Sequence, residues 1–416
     1  MQIDHAHLLK FLLLLAFIIV AAKAAGWLSL RVGQPAVLGE ILAGVLLGPS
    51  LLDVLGTPLF RDSGLDAVVA QLANVGVIFL MFIAGLETDL AQMRRVGKVA
   101  TVAGAAGVFV PLVLGALVAV SFGTETNHAL FIGIVLAATS VSITVQTLIE
   151  LGQLESPEGT TLLAAAVIDD VIAIIVLSVF VALTGAEAGG AAAIGGVVLR
   201  MMVFFAAAIL GGRWLMAWGL RRFQRVPVSE GVLAFTVVAM LLLAWGAESI
   251  GRVASITGAY IAGVLVTQAG FREEIEHRIR GFTYAILVPV FFISIGLQTN
   301  ARLLDAADLP FALVIVLAAV LGKIIGCGGG ALAAGFPRPS ALRVGIGMIS
   351  RGEVGLIIAA IGVQTGLLAE RGFAVMVIMV LATTVITPVL LRLVFPRPVP
   401  EITEAEALAK VMGRDE

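Results

Sequence analysis

The sequence is poor in charged residues. Only 13% of its 416 residues are Asp, Glu, Lys or Arg, about half the share of ordinary globular domains, and 60% are hydrophobic. Its single cysteine, Cys327, can form no internal disulfide, which excludes a disulfide-stabilised secreted fold. Aromatic residues make up only 6%, whereas 47 residues are glycine, a composition typical of closely packed membrane helices. The net charge of -2, with no basic tail or patch, argues against nucleic acid as a partner.

What the sequence has instead is long hydrophobic runs along nearly its whole length. A membrane-spanning helix needs about 20 mostly apolar residues, and charge clusters and Gly/Pro breaks divide the chain into about thirteen such runs. The predicted spans fall near residues 8–29, 35–52, 66–87, 97–121, 128–150, 158–184, 191–220, 229–250, 253–269, 277–297, 308–335, 340–366 and 370–395. The sequence therefore predicts an all-α, polytopic membrane protein, with a transmembrane unit over 1–395 and a short cytoplasmic tail over 396–416.

The distribution of Lys and Arg predicts the orientation in the bilayer. One set of alternate connections, together with the C-terminal tail, carries sixteen of the 26 basic residues, and the opposite set carries five. Because basic loops stay in the cytoplasm, we expect an external N-terminus and a cytoplasmic C-terminus in the cell (inner) membrane. The apolar run Phe11–Ala22 is predicted to be a retained helix rather than a signal peptide, since Lys23 interrupts it and Trp27–Leu30 continue it.

Two consecutive acids, Asp169 and Asp170, lie near the middle of the span at 158–184. Adjacent carboxylates in hydrocarbon require a proton, a cationic partner or a bound cation. Neighbouring side chains on a helix point about 100° apart, so one carboxyl can face a water-filled cavity while the other faces another helix. An intramembrane aspartyl protease would need its two carboxyls to face each other from different helices. We therefore expect a transport site and neither an enzyme nor a resident cofactor.

A lysine, Lys323, lies in the middle of a later span, at 308–335. An ammonium group at that depth needs an anion, and the unmatched buried anions are the two aspartates and Glu353. We predict an Asp169–Lys323 pair, with the flanking glycines letting the helices approach closely. Two other intramembrane acids, Glu40 and Glu87, lie nearer span ends and are expected to make helix-end or interhelical contacts.

Two spans are interrupted by polar residues. Arg351 and Glu353 flank Gly352 in one, and hydroxyl-bearing residues fill 139–147 in the other. A helix can unwind at such positions, where hydroxyls satisfy the freed backbone groups and a charge such as that of Arg351 compensates the half-helix ends. Because the two spans are seven apart, and hence opposite in direction, they indicate an inverted-repeat transporter with two broken helices.

These residues resemble the monovalent cation:proton antiporter superfamily, and within it the electrogenic sodium/proton antiporters with a double-aspartate motif. The stretches that carry the resemblance are Ala166–Val171, Pro35–Pro49, Phe79–Glu87, Thr139–Thr144, Pro289–Phe292 and Ser350–Gly355. The resemblance implies a homodimer with elevator-like movement, in which the two broken helices cross near the aspartates. It also implies the following division of the chain: dimerisation helices at roughly 8–87 and 229–297, core helices at roughly 97–184 and 308–395, and a linker helix at roughly 191–220.

The resemblance also implies roles for individual residues. Asp170 would be the main ligand of the transported sodium ion, and Asp169 would pair with Lys323 and release it during turnover. The residues implied to lie at the crossing of the broken helices are Thr139, Ser140 and Glu353. The Gln-Asp pattern typical of ligand-gated potassium-efflux relatives does not occur in this sequence, which favours sodium or lithium over potassium.

The chemistry of the aspartates leads to the same function. A carboxylate holds a proton or helps to coordinate a small hard cation, so competition for Asp170 would couple two opposite fluxes. Two titrating aspartates, or one together with Lys323, allow two protons per sodium ion and hence electrogenic exchange. The partners are therefore Na+ or Li+, H+ and the lipid bilayer. Two alternatives remain open, a potassium/proton antiporter of the same fold and a cation channel or sensor, which would not exchange protons obligatorily.

Overall fold

The chain folds into eighteen α-helices in the part that the computed structural model describes, residues 5–32, 34–61, 63–88, 90–184, 190–298, 302, 306–364 and 366–395. No strand occurs within these ranges. The helices are α1 His5–Arg31, α2 Ala36–Leu47, α3 Leu65–Leu86, α4 Leu90–Ser121, α5 Thr126–Ala137, α6 Val141–Glu150, α7 Pro157–Thr184, α8 Gly190–Ala206, α9 Gly212–Phe223, α10 Gly231–Ser249, α11 Ser255–Gln268, α12 Arg272–Phe282, α13 Val288–Leu297, α14 Leu309–Lys323, α15 Gly329–Ala333, α16 Arg338–Gly347, α17 Glu353–Gln364 and α18 Glu370–Val394.

Ten helical stretches within these ranges are long and apolar enough to cross a membrane, and α2 and α11 are shorter apolar helices. Large hydrophobic side chains such as Leu9, Leu13 and Val20 of α1 remain exposed on the outside of the bundle, as expected of a surface that faces lipid. The predicted all-α, polytopic membrane fold is thus confirmed, whereas the number of thirteen spans stays a prediction.

Within the described ranges, three spans contain a π-helical turn that joins two α-helices. These turns are Ala207–Gly211 between α8 and α9, Thr283–Leu287 between α12 and α13, and Ile324–Gly328 between α14 and α15. A π turn inserts an extra residue into the helix and is frequent at functional sites. The third turn directly follows Lys323, the lysine that the sequence places in mid-span.

Two further spans are broken into half-helices, as their polar interruptions predict. The helix α5 ends at Ala137 and α6 begins at Val141, and likewise α16 ends at Gly347 and α17 begins at Glu353. The intervening residues are not helical, and Ser140 has extended backbone angles. Each break leaves N–H and C=O groups without the partners that a continuous helix would supply.

The helices pack in two sets. In the first helix set, α3 packs against α11 and α13, α2 packs against α1 and α13, and α10 packs against α11. In the second helix set, α4 packs against α5, α7, α14 and α15, and α18 packs against α6, α14, α16 and α17. The two sets meet where α6 lies against α2 and α3 and where α18 lies against α2.

One end of the bundle, here called the basic end, is where α1, α3, α6 and α11 end and α2, α7 and α12 begin. An ion pair and a hydrogen bond from a side chain to the backbone hold these ends together: Arg272 Nη2 lies 2.7 Å from Glu155 Oε1, and Thr267 Oγ1 donates to Leu86 O at 2.8 Å. The predicted interhelical contacts of two buried acids also occur there. They are Glu40–Lys23 and Glu87–Arg280, each with an N–O distance of 3.4 Å.

Candidate functional site

The site is built on a buried ion pair between α7 and α14. Lys323 Nζ donates to Asp169 Oδ1 at 2.7 Å, and both side chains are fully buried. The other carboxylate oxygen, Oδ2, has no hydrogen-bond partner among the residues that the structure describes. Removing one partner of a buried pair leaves an uncompensated charge at a cost of about 3–5 kcal/mol, so the two groups depend on each other.

Glycines bring the neighbouring helix α4 close to this pair. A Cβ on Gly107 of α4 would overlap Cys327 and would lie 3.5 Å from Asp169 Oδ1 and 3.6 Å from Lys323 Nζ. On the other side of the contact, a Cβ on Gly326 would lie 2.6 Å from the carbonyl oxygen of Ala106. The absence of side chains at these two positions therefore allows α4 to close off the ion pair from lipid and water.

The second aspartate, Asp170, faces a different helix. Its side chain is partly exposed, and Thr257 Oγ1 of α11 lies 3.4 Å from its Oδ2. A cavity of about 10 Å³ next to it is lined in part by Val141, Thr257 and Tyr260. The two consecutive carboxyls thus lie in two environments, Asp169 toward α14 and Asp170 toward α11, as the angle between neighbouring side chains on a helix dictates.

Two larger cavities that share Asn74 lie on the side of the bundle away from the basic end. One, of about 530 Å³ between α3, α10 and α11, is lined by Asn74, Glu248, Arg252 and Ile256 among others. The other, of about 330 Å³ between α3, α13, α17 and α18, is also lined by Asn74. It extends to Gly352, in the non-helical segment between α16 and α17. Ile256 lines both the first cavity and the small cavity at Asp170, so this side chain separates the aspartate from the wider space.

The two broken helices cross each other at their breaks. Ser140 N donates to Ser350 O at 2.9 Å, and the Ser350 hydroxyl donates back to Ser140 O. Thr144 Oγ1 of α6 donates to Gly347 O, at the end of α16, at 2.6 Å. Gly352 is required at the crossing because a Cβ there would lie 2.7 Å from Ser140 Oγ. Backbone and hydroxyl groups at each break thus form hydrogen bonds with backbone groups at the other break.

Arg351 is fully buried at this crossing. Its Nη2 donates to Leu136 O at 2.7 Å, and its Nη1 donates to Ile349 O. Leu136 lies in the last turn of α5, where the helix dipole concentrates negative charge. Two threonines of α18 hold the Arg351 backbone: Thr383 Oγ1 accepts from its N–H at 3.3 Å, and Thr384 Oγ1 donates to its carbonyl. The guanidinium therefore lies where charge compensation of a half-helix needs it.

The structure brings most of the predicted site residues together. Ser140 lies at the crossing, Thr139 Oγ1 donates to Ala137 O at 3.4 Å, and Glu353 begins α17, although its side chain lies outside the described residues. Sequence reasoning missed the threonines that contact Asp170 and Arg351. A polar residue within an apolar span was their only sequence signal, and such a residue usually bonds to its own helix.

The sequence of the chain is similar to those of known proteins along nearly its whole length. The sequence profile of the family described as "Sodium/hydrogen exchanger, transmembrane" matches residues 12–395. The chain is 38% identical over 386 residues to the Na(+)/H(+)-K(+) antiporter GerN of Bacillus cereus, covering 93% of this chain and 96% of that protein. It is 34% identical over 384 residues to a Na(+)/H(+) antiporter of Enterococcus hirae, covering 92% and 98%.

The fold also matches a solved structure. The sodium proton antiporter MjNhaP1 from Methanocaldococcus jannaschii superposes with a TM-score of 0.67 at 17% identity, covering 98% of this chain and 100% of that chain. At this identity the likeness concerns the fold alone, whereas the profile match and the two bacterial relatives cover nearly the whole chain. The chain is a member of the sodium/hydrogen exchanger family, a family of transmembrane antiporters.

Proposed function

We propose that this protein exchanges Na+ or Li+ for protons across the cell membrane, with both ions competing for Asp170. The observation that carries this proposal is the placement of a partly exposed Asp170 next to a fully buried Asp169–Lys323 pair, beside the crossing of two broken helices. The names of the bacterial relatives, which are Na(+)/H(+) antiporters, support sodium and protons as the transported ions.

The chemistry at Asp170 explains how one site couples two fluxes. A carboxylate that holds a proton loses the charge that attracts a cation, so each ion has to leave before the other binds. Hard monovalent cations prefer oxygen ligands, and Thr257 already places a hydroxyl near the carboxylate. Water and the carbonyl groups of the nearby broken helices would complete the coordination shell of the sodium ion.

The pairing of Asp169 with Lys323 makes the exchange electrogenic in this proposal. When Asp169 releases Lys323, one of the two groups can exchange a proton in addition to the one displaced from Asp170. Two protons would then cross for each sodium ion, and one net charge would move per cycle. Each such charge gains about 2.3 kcal/mol from a membrane potential of 100 mV.

The two helix sets supply the parts of an elevator-like movement. The second helix set contains the aspartates, Lys323 and both broken helices, and would be the moving core. The first helix set would be the stationary dimerisation unit of a homodimer, and α8–α9 would be the linker. The basic end would face the cytoplasm, because basic connections are retained there. The outer cavities that include Asn74 would then be an external vestibule.

A potassium/proton exchanger is a second candidate, because the Bacillus cereus relative is named as a Na(+)/H(+)-K(+) antiporter. A panel of Na+, Li+ and K+ on reconstituted vesicles, read by an internal pH dye, separates the two functions. Sodium- or lithium-driven proton movement with little response to potassium supports the proposal, and a response to potassium alone contradicts it.

The assignment of Asp170 is tested in the same vesicles. We expect Asp170→Asn to abolish cation-driven proton movement, since an amide neither holds the exchanged proton nor carries the charge that attracts sodium. The matched control is Asp66→Asn, an exposed carboxylate in the first turn of α3, which should leave exchange unchanged. Sodium-dependent proton flux retained by Asp170→Asn would refute the assignment.

A further inference from the structure

The half-helix α6 carries a row of polar side chains from the crossing of the broken helices to the basic end. Ser142, Gln146 and Glu150 are spaced four residues apart and therefore lie on one face of the helix, here called the α6 polar face. α6 packs against α2, α3, α7 and α18, so it lies at the seam between the two helix sets.

Two oxygens of the α6 polar face are buried without hydrogen bonds. Ser142 Oγ and Gln146 Oε1 have no partner among the residues that the structure describes, and their side chains are 0% and 6% exposed. An unsatisfied buried polar group costs about 1–3 kcal/mol, so native proteins rarely keep two in one row. The row is explained if these oxygens contact water or a cation in another state of the protein.

The end of the row is closed by a contact between the two helix sets. Glu150 Oε2 accepts from the backbone N–H of Ala36 at 2.6 Å, and Oε1 accepts from that of Val37 at 3.3 Å. These N–H groups belong to the first turn of α2, the end of the helix that attracts negative charge. Gln146 Nε2 donates to the same carboxylate at 2.9 Å. This hydrogen bond connects the α6 polar face to the contact between Glu150 and α2.

We propose that the α6 polar face is the closed half of the cation pathway, sealed in this state by the docking of Glu150 on the first turn of α2. When the helix sets move apart, the face becomes a water-filled passage whose hydroxyl, amide and carboxylate oxygens take monovalent cations toward Asp170. This inference rests on the proposed antiport. The two cavities that share Asn74 lie on the opposite side of the bundle, where one of them reaches Ile256 beside Asp170, as alternating access requires if the basic end is closed in this state.

The test uses cysteine accessibility. Gln146→Cys and Ser142→Cys are reacted in vesicles, from each side in turn, with a cationic or an anionic methanethiosulfonate reagent. The control is Leu148→Cys, which is buried at the same depth and points about 200° away from Gln146 on the helix. The unsubstituted chain gives the blank, because its Cys327 is fully buried.

We expect both polar-face cysteines to react from the basic end and Leu148→Cys to stay protected. The cationic reagent should react faster than the anionic one, relative to their rates with a free thiol. Adding Glu150→Gln should raise the reaction rates about fivefold, since a neutral acceptor binds N–H groups more weakly than a carboxylate. It should also reduce the preference for the cationic reagent. Glu273→Gln, an exposed change at the same end, should alter neither quantity.

Equal protection of all three cysteines would overturn the inference, as would labelling without charge preference. Ser142→Cys is nearly isosteric, so it keeps the test available should Gln146→Cys fail to fold. Sodium-driven proton flux of the unsubstituted chain is measured in the same vesicles. Flux together with a protected polar face defeats only this inference, whereas absence of flux with every cation defeats the proposed function.

Discussion

The ionisable side chains buried in the membrane region have different kinds of hydrogen-bond partner. Arg351 is surrounded by carbonyl oxygens, including those of Leu136 and Ile349, and thus completes the backbone around the breaks. Lys323 has a carboxylate partner, Asp169, which leaves one oxygen unsatisfied within the described part of the chain. A pair with an unsatisfied oxygen is easier to separate than a fully bonded network, which fits a partner exchanged during turnover.

At this scale we predict the effect of Lys323→Ala. Without the ammonium group, a charged Asp169 would be buried without its cationic partner, at a cost of about 3–5 kcal/mol. We expect the profile of exchange activity against pH to change, because the proposed separation of Asp169 from Lys323 supplies one of the two exchanged protons. The measurement is sodium-driven proton flux at a series of pH values in reconstituted vesicles.

Lys98→Ala serves as the control for this variant, since Lys98 is exposed on α4. It should leave the pH profile unchanged while removing the same formal charge. A Lys323→Ala protein whose kinetics and pH profile match those of the unsubstituted chain would show that the Asp169–Lys323 pair has no part in transport.

At the scale of elements, the two broken helices could be predicted from the sequence because a break in a helix needs polar residues at the break itself. The hydroxyls of Thr139 and Ser140 and the charges around Gly352 lie at the places where helical hydrogen bonds are lost, whereas the other hydroxyls up to residue 147 lie within α6. The π turn after Lys323 has no such mark, because any helical sequence can adopt it when packing demands an extra residue.

The contacts between elements could not be predicted in the same way. Thr257 reaches Asp170, and Glu150 reaches the N-terminus of α2, across 87 and 114 positions of sequence, respectively. These pairings depend on how whole helices rotate and slide against each other, which a periodic apolar pattern does not specify. The Asp169–Lys323 pair was predictable only because few buried charges were available to match.

The close packing of α14 and α15 on α4 predicts that adding a side chain at this contact destabilises the protein. A Cβ at Gly326 would lie 2.6 Å from Ala106 O, a backbone atom that cannot rotate away. We expect Gly326→Ala to destabilise the protein by about 1–3 kcal/mol, as overpacking does, and to slow exchange because Lys323 lies on the same span. The midpoint of thermal unfolding in detergent and the rate of proton flux measure the two effects.

Gly329→Ala is the matched control, three residues further along. A Cβ there meets nothing within 4 Å, so the change should be neutral or stabilising by up to about 1 kcal/mol through better helix propensity. Equal midpoints for the two variants would show that the close approach of α4 does not stabilise this span.

At the scale of the whole molecule, the two helix sets divide the chemistry unequally. The second helix set holds the aspartates, the lysine and both breaks, and the first set contributes Thr257 and the N-terminus of α2 as opposing surfaces. In the proposed elevator-like movement, these are contacts that would be exchanged when one set moves past the other. Such a movement would be the sliding of a rigid core along the seam between the sets.

The charge balance of the cycle gives the prediction for the whole molecule. If two protons cross for each sodium ion, one net charge moves per cycle, and a potential of 100 mV changes its free energy by about 2.3 kcal/mol. A sodium concentration jump on proteoliposomes adsorbed to a solid-supported membrane should therefore give a transient current, with potassium left out of all solutions. Asp170→Asn should give no current. Proton flux without any current would establish an electroneutral exchange and remove the role proposed here for the separation of Asp169 from Lys323.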